Sequence, residues 1–205
     1  MTASAWQWIS APLLLGLLLV GCLASFGWAM RRFFVQPAGL TPGMRLIKVC
    51  GIVFGLLHLT AIAATPDVNG VRGISGAALY VAALGLFWWA IKTNLHQPLS
   101  AAFSPDLPAH LTAHGPYRMI RHPLYCSYLM CWLAGWVATG RWWLAPTIAI
   151  MIVLYMRAAA EEERKFARSA LAQAYLEYRA RTGLLLPNPW KLLSSRRKRS
   201  WETAV

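Results

Sequence analysis

From Trp8 to Met30 the chain runs 23 residues without a charged side chain. A helix needs roughly 20 apolar residues to cross the hydrocarbon of a bilayer, so this segment is long enough to span. No Lys or Arg precedes residue 31. A secretory signal would carry a basic start and a shorter apolar core, and the segment therefore reads as a transmembrane helix. Four further stretches, 46–64, 74–91, 124–140 and 142–160, are candidates for the same role. The last two are short and close together, and they predict a helical hairpin turning at "TGRWW". The fold class expected is an all-α polytopic membrane protein of about five transmembrane helices, followed by a cytosolic amphipathic helix over 161–182. Phe166, Leu171, Tyr175 and Tyr178 form the apolar stripe of that last helix.

Composition agrees. Hydrophobic residues make up 58% of the chain and charged residues 13%, against about a quarter charged in soluble domains. The net charge of +13 does not point to nucleic acid, because it sits in a few loops and one tail. Of the 20 Lys and Arg, 18 lie in alternating segments: 31–48, 92–123 and 157 onward. The positive-inside rule then places the N-terminus outside and the C-terminus in the cytosol of an integral membrane protein, in the cytoplasmic membrane if the source is bacterial. Trp6, Trp8, Trp28, Trp88, Trp89, Trp142 and Trp143 fall near span boundaries, as interfacial aromatics do. Cys22, Cys50, Cys126 and Cys131 lie in apolar stretches with no CxxC pair, and read as packing residues without a disulfide framework or metal site. The Pro-rich stretch 96–110 is expected to be a cytosolic loop. The "SSRRKRS" run at 194–200 reads as a solvated basic tail that favours anionic lipid.

Polar residues crowd one place. In "HGPYRMIRHPLYCSYLM", residues 114–130, two Arg and two His stand directly before an apolar span. Gly115-Pro116 predicts a turn. Pro123 disfavours a helical His122 and suits the first helical position, so span four should start there. A helix N-terminus there would favour an anion. At the far end of the hairpin, "YMRAAAEEERKF" places Arg157 only 15 residues after Trp142. Those residues cover about 22 Å, short of a full crossing, which leaves Arg157 at the cytosolic edge of the hydrocarbon with Glu161 at i+4 to pair with it. Two readings of this cluster stay open from residue types alone: ion pairs that close the hairpin, or a polar pocket at the membrane surface. His58, alone in span two, reads as a packed histidine rather than a haem or metal ligand.

The stretches "LTAHGPYRMIRHPLYCSYL", Arg157 with the three glutamates after it, and "AYLEYRARTGLLLP" resemble the isoprenylcysteine carboxyl methyltransferase family and its phospholipid methyltransferase relatives, over roughly residues 90–190. The five-span plan is similar to that of small prokaryotic members. The resemblance implies a single membrane methyltransferase domain over 1–205, with three spans in 1–91, a cofactor-binding catalytic part in 92–190 and a basic tail in 191–205. It also implies S-adenosyl-L-methionine as methyl donor. Carried over residue by residue, Leu111, Thr112, Tyr117, His122, Pro123, Leu124 and Tyr125 match cofactor contacts. Glu162, or Glu161 one residue earlier, matches the acidic cofactor contact. Arg157 resembles the arginine that faces the acceptor, and Arg157 and Glu162 are the catalytic candidates. Cys126 stands where relatives often carry Gly. The implied reaction is methyl transfer to a lipophilic or small acceptor at the cytosolic face, whether carboxylate, thiol or amine. The partners expected are that acceptor and membrane lipid, with no nucleic acid. The rival readings are a nicotinamide-dependent membrane reductase and a non-enzymatic membrane protein.

Overall fold

A computed structural model describes residues 4–35, 39, 41–65, 68, 70–95, 99–100, 103 and 107–188. The basic tail and most of the loop expected at 96–110 lie outside the described residues. Among the described residues six α-helices run in order: α1 (Ser4–Phe33), α2 (Pro42–Ala63), α3 (Val71–Thr93), α4 (Pro123–Thr139), α5 (Ala145–Ala167) and α6 (Ala172–Arg181). Two-residue strands β1 (Phe34–Val35) and β2 (Leu99–Ser100) pair in parallel. They tie the α1–α2 link to the segment after α3. The all-α polytopic membrane fold is thus present.

Among the described residues, four helices are long and apolar enough to cross a membrane: α1 from Ala11, α2, α3, and α5 with the 3₁₀ turn at Trp142–Leu144 that precedes it. α4 has 17 residues, about 25 Å of helix, and is the shortest of the five hairpin-connected helices. Its burial compensates for its length. Cys131, Trp132, Ala134 and Ala138 are all buried, packed between the other helices. The outer surface is apolar instead, with Leu13, Leu17, Ile52, Leu56, Val81 and Val153 exposed. An apolar exterior on this scale belongs in lipid.

Several helix ends lie beyond their expected positions for local reasons. α2 starts four residues early because Thr41 caps it, its hydroxyl accepting from the Met44 N–H at 3.4 Å, with Pro42 in the first turn. That Thr-Pro pair is an ordinary helix-start signal. α5 does not stop at 160 but continues through the three glutamates to Ala167, so the expected helix over 161–182 is divided. Its first turns extend span five, and only Ala172–Arg181 forms a separate helix. Phe166 still meets Tyr175 across the break, their rings stacked at 4.5 Å.

The closest helix pair is α3 with α4, and small residues make it possible. A side chain at Gly76 would begin 2.5 Å from the Ala138 Cβ and 2.9 Å from the Ala134 carbonyl oxygen. Without a hydrophobic effect between helices in lipid, such close backbone approach supplies much of the association. On the side away from the basic loops, Arg141 donates to the Ala64 carbonyl at 3.0 Å and to the Thr65 hydroxyl at 3.1 Å. A cation there satisfies the C-terminal end of α2. His58 is fully buried and packs edge-on to Trp132. The Thr147 hydroxyl donates to the Leu144 carbonyl, so it accepts the His58 Nε2–H at 3.0 Å.

Gly76→Leu is expected to destabilise the protein by about 1–3 kcal/mol through overpacking. Gly85→Leu, where a Cβ meets nothing within 4 Å, should be tolerated. Thermal unfolding of both variants in detergent checks the contrast.

Candidate functional site

The alternation of helix directions brings the end of α1, the start of α2, the end of α3, the start of α4 and the end of α5 to one side of the bundle. All five border a single cavity of about 800 Å³. It lies on the side of the Lys- and Arg-rich segments.

The stretch before α4 enters the cavity through a tight turn. Gly115 has φ +57°, and a Cβ there would begin 2.4 Å from the Thr93 hydroxyl. The turn it permits is the 3₁₀ segment Gly115–Arg118. The Tyr178 hydroxyl fastens this turn to α6 by donating to the Tyr117 carbonyl at 2.7 Å. His122 is the N-cap of α4, with φ −123° and ψ 65°, and Pro123 is the first helical residue. The chain after α6 then folds back along this entry. The Arg121 and His122 amides donate to the Gly183 and Leu184 carbonyls at 2.9 and 3.1 Å, and the Gly183 amide returns a bond to Met119.

Three consecutive glutamates on α5 take three different partners. Successive helix residues are about 100° apart around the axis. Glu161 points outward and pairs with Arg164 at 2.6 Å. Glu162 faces the cavity, accepts the Tyr125 hydroxyl at 2.5 Å, and lies 3.4 Å from His122 Nδ1. Glu163 turns toward α6, accepts from Arg121 Nε at 2.8 Å, and lies 3.6 Å from His122 Nε2 and 3.7 Å from Arg179 Nε. Arg121 also donates to the Thr182 carbonyl at 2.8 Å. Its side chain is 8% exposed, so this is a buried pair with the guanidinium committed to structural partners. Both readings of the cluster are therefore present, one residue apart.

His122 sits between the two carboxylates. Burial alone would lower its pKa, but Glu162 and Glu163 outweigh that and hold it up to about 8. At neutral pH the imidazole is largely a cation. Burial first, and the Glu162 charge second, push the Tyr117 hydroxyl well above its usual range. Behind these groups stands an aromatic wall. Tyr125 stacks on His122 and on Tyr155, each at 5.5 Å, and Tyr128 sits 5.5 Å from Tyr155.

Of the residues singled out in the sequence, Leu111, Thr112, Tyr117, His122, Pro123, Leu124, Tyr125 and Glu162 all line this cavity. Glu161 and Arg157 do not. Arg157 is exposed on the outer face of α5. Five residues separate it from Glu162, a rotation of about 140°, so one helix cannot turn both toward the same cavity. The expected Arg157–Glu161 pair is replaced by Glu161–Arg164. The residues that do share the Glu162 face are Tyr155, seven before it, and Phe166, four after it; both line the cavity. The i, i+7 spacing from Tyr155 to Glu162 was the available signal for that stripe.

Other lining residues carried no motif. Asn94 caps α3 from a buried position. Its amide donates to the Ala90 carbonyl at 2.9 Å, and its oxygen accepts the Thr112 hydroxyl at 2.7 Å. It thereby holds the 107–112 segment over the cavity. Leu23, Phe26, Gly27, Met30 and Arg31 of α1, and Met44, Ile47, Lys48, Gly51 and Ile52 of α2, complete the opposite wall.

The sequence model of the phospholipid methyltransferase family matches residues 71–174. No curated protein and no solved structure shows significant similarity to the chain.

Glu163→Gln should cost roughly 3 kcal/mol or more, because it leaves the buried Arg121 charge uncompensated. Glu162→Gln, at a more accessible carboxylate, should cost distinctly less in the same unfolding assay. His122 has a folded pKa above its ordinary value of 6.5. Its contribution is therefore complete below about pH 6.5 and is lost as pH rises through about 8, on the order of 2 kcal/mol. Melting temperature should fall across that window, and His122→Asn should flatten the fall.

Proposed function

The chain belongs to the phospholipid methyltransferase family, and on that premise we propose that this membrane methyltransferase uses S-adenosylmethionine to methylate a lipophilic or small acceptor at the cytosolic membrane face. The observation that carries the reading is the convergence of Leu111, Thr112, Tyr117, the His122–Tyr125 run and Glu162 on one cavity. Glu162 lies 37 residues beyond Tyr125 in sequence, and local structure alone would not gather it with the 111–125 stretch.

The residues suit that donor. When bound, it supplies a methyl group on a sulfonium centre, open to direct displacement by the acceptor atom. Glu162 is the acidic side chain of the cavity among the described residues, and it fits an ammonium group or ribose hydroxyls. The His122 cation and the start of α4 favour a carboxylate. The faces of Tyr125, Tyr128 and Tyr155 attract a sulfonium by cation–π interaction. An 800 Å³ cavity is within the usual range for small-molecule sites, with room for donor and acceptor groups together.

Direct displacement asks the protein mainly to align two groups and exclude water. The aromatic wall and the overlying 107–112 segment serve both ends. A carboxylate or thiolate acceptor needs no base. An amine must lose a proton, and Glu162 and His110 both line the cavity and could take it. Arg157, on the outer face, has no part in this arrangement.

Titration calorimetry of the detergent-purified protein with S-adenosylhomocysteine, with NADPH as control, tests the proposal. Saturable binding of S-adenosylhomocysteine alone is expected. Glu162→Ala and His122→Ala should each weaken it by about tenfold or more, the loss of one charge-assisted contact. Wild-type affinity in both folded variants would sink the site assignment, and NADPH binding instead would favour a reductase.

A further inference from the structure

Two polar atoms inside the membrane-spanning bundle point at one place beside α4. A Cβ at Gly135 would lie 2.3 Å from His58 Nδ1 and 2.9 Å from the Tyr80 hydroxyl oxygen. Any side chain at 135 would meet both, so glycine keeps a notch open there. His58 of α2 and Tyr80 of α3 are fully buried, each 0% exposed. Among the described residues, neither of the two atoms has a hydrogen-bond partner. A polar atom buried in that way carries a desolvation cost with nothing set against it.

The two atoms are chemically complementary. His58 gives its Nε2–H to the Thr147 hydroxyl, so Nδ1 of the neutral ring is a lone pair that accepts. The Tyr80 hydroxyl is a donor. Two atoms that close to one point are within the span of a single water, which bonds at about 2.8 Å on each side. Buried waters sit where two or more polar groups converge in this way. One imidazole and one phenol are too few ligands for a metal ion, whereas a small neutral molecule that both donates and accepts fits them. We propose that the notch at Gly135 is a binding site for one water molecule, which accepts from the Tyr80 hydroxyl and donates to His58 Nδ1. With the His58–Thr147 bond at 3.0 Å, this bridge makes a polar link from α3 through α2 to α5 across the small face of α4. It lies directly behind the cavity. Trp132 packs edge-on to His58 at 5.4 Å and its indole N–H donates to the Tyr155 hydroxyl at 3.4 Å, and both Trp132 and Tyr155 line the cavity. The water site stands whatever the cavity binds.

Tyr80→Phe removes the hydroxyl and keeps the ring, and the sign of its effect is the first test. A hydroxyl bonded to a bridging water is lost at a cost. The melting temperature of the full chain in detergent should fall by about 2–4 °C, the shift expected for one hydrogen bond in a chain of this length. Loss of a hydroxyl that has no partner would leave the melting temperature unchanged or raise it, and either result would overturn the proposal. A crystal structure with ordered solvent tests the bridge itself. One water within about 3.2 Å of both atoms is expected. A direct bond between Tyr80 and His58, or a notch without solvent, would overturn the assignment even if Tyr80→Phe is destabilising.

Discussion

The buried contact between Arg121 and Glu163 joins the three segments that build the polar end of the cavity. Arg121 ends the 3₁₀ entry to α4, Glu163 belongs to the last turns of α5, and the Thr182 carbonyl that takes another Arg121 donor follows α6. Each segment alone would present a charge or an unpaired carbonyl to a poorly solvated place. Together they satisfy one another. A buried ion pair is a weak source of net stability, but removal of one partner is costly, so the contact fixes an arrangement more than it deepens the fold. His122, its neighbour in sequence, is thereby held between Glu162 and Glu163 and remains charged to about pH 8.

Helix phase divides the labour from there. Three adjacent glutamates would be one acidic patch in an extended chain. On α5 the 100° step sends Glu161 outward, Glu162 into the cavity and Glu163 into the ion pair. The same step carries Arg157 away from Glu162 and brings Tyr155 and Phe166 into line with it. A structural pair and a pocket carboxylate can thus sit side by side, with His122 shared between them.

The cavity itself has two parts of different origin. The polar part comes from the segments between 107 and 128 and the ends of α5 and α6. The apolar part comes from α1 and α2. On the proposed function, a polar donor and a lipophilic acceptor would meet in a cavity shared between these two parts.

The sequence by itself determined a good deal. Long uncharged stretches dictate membrane helices, because backbone polar groups in hydrocarbon must be satisfied within the helix. The Pro123 start of α4 and the Gly115-Pro116 turn followed from φ restrictions that act within one or two residues. The stretch from Leu111 to Tyr125 could be singled out because it resembles a family motif and because its Arg and His residues are unusual beside an apolar span. What depended on rotation about a helix axis, or on contact between distant elements, was not legible. Glu163 looked like its two neighbours until the Arg121 partner fixed its face. Arg157 looked like a pocket residue because it sits at the right depth, but depth does not set direction. Asn94, Arg31, Lys48, Gly27 and Gly51 carry no local pattern at all, since they become part of the cavity only when α1, α2 and α3 pack against the entry to α4. Local conformational rules act along the chain and can be read there; the side a residue faces is decided by what packs against it.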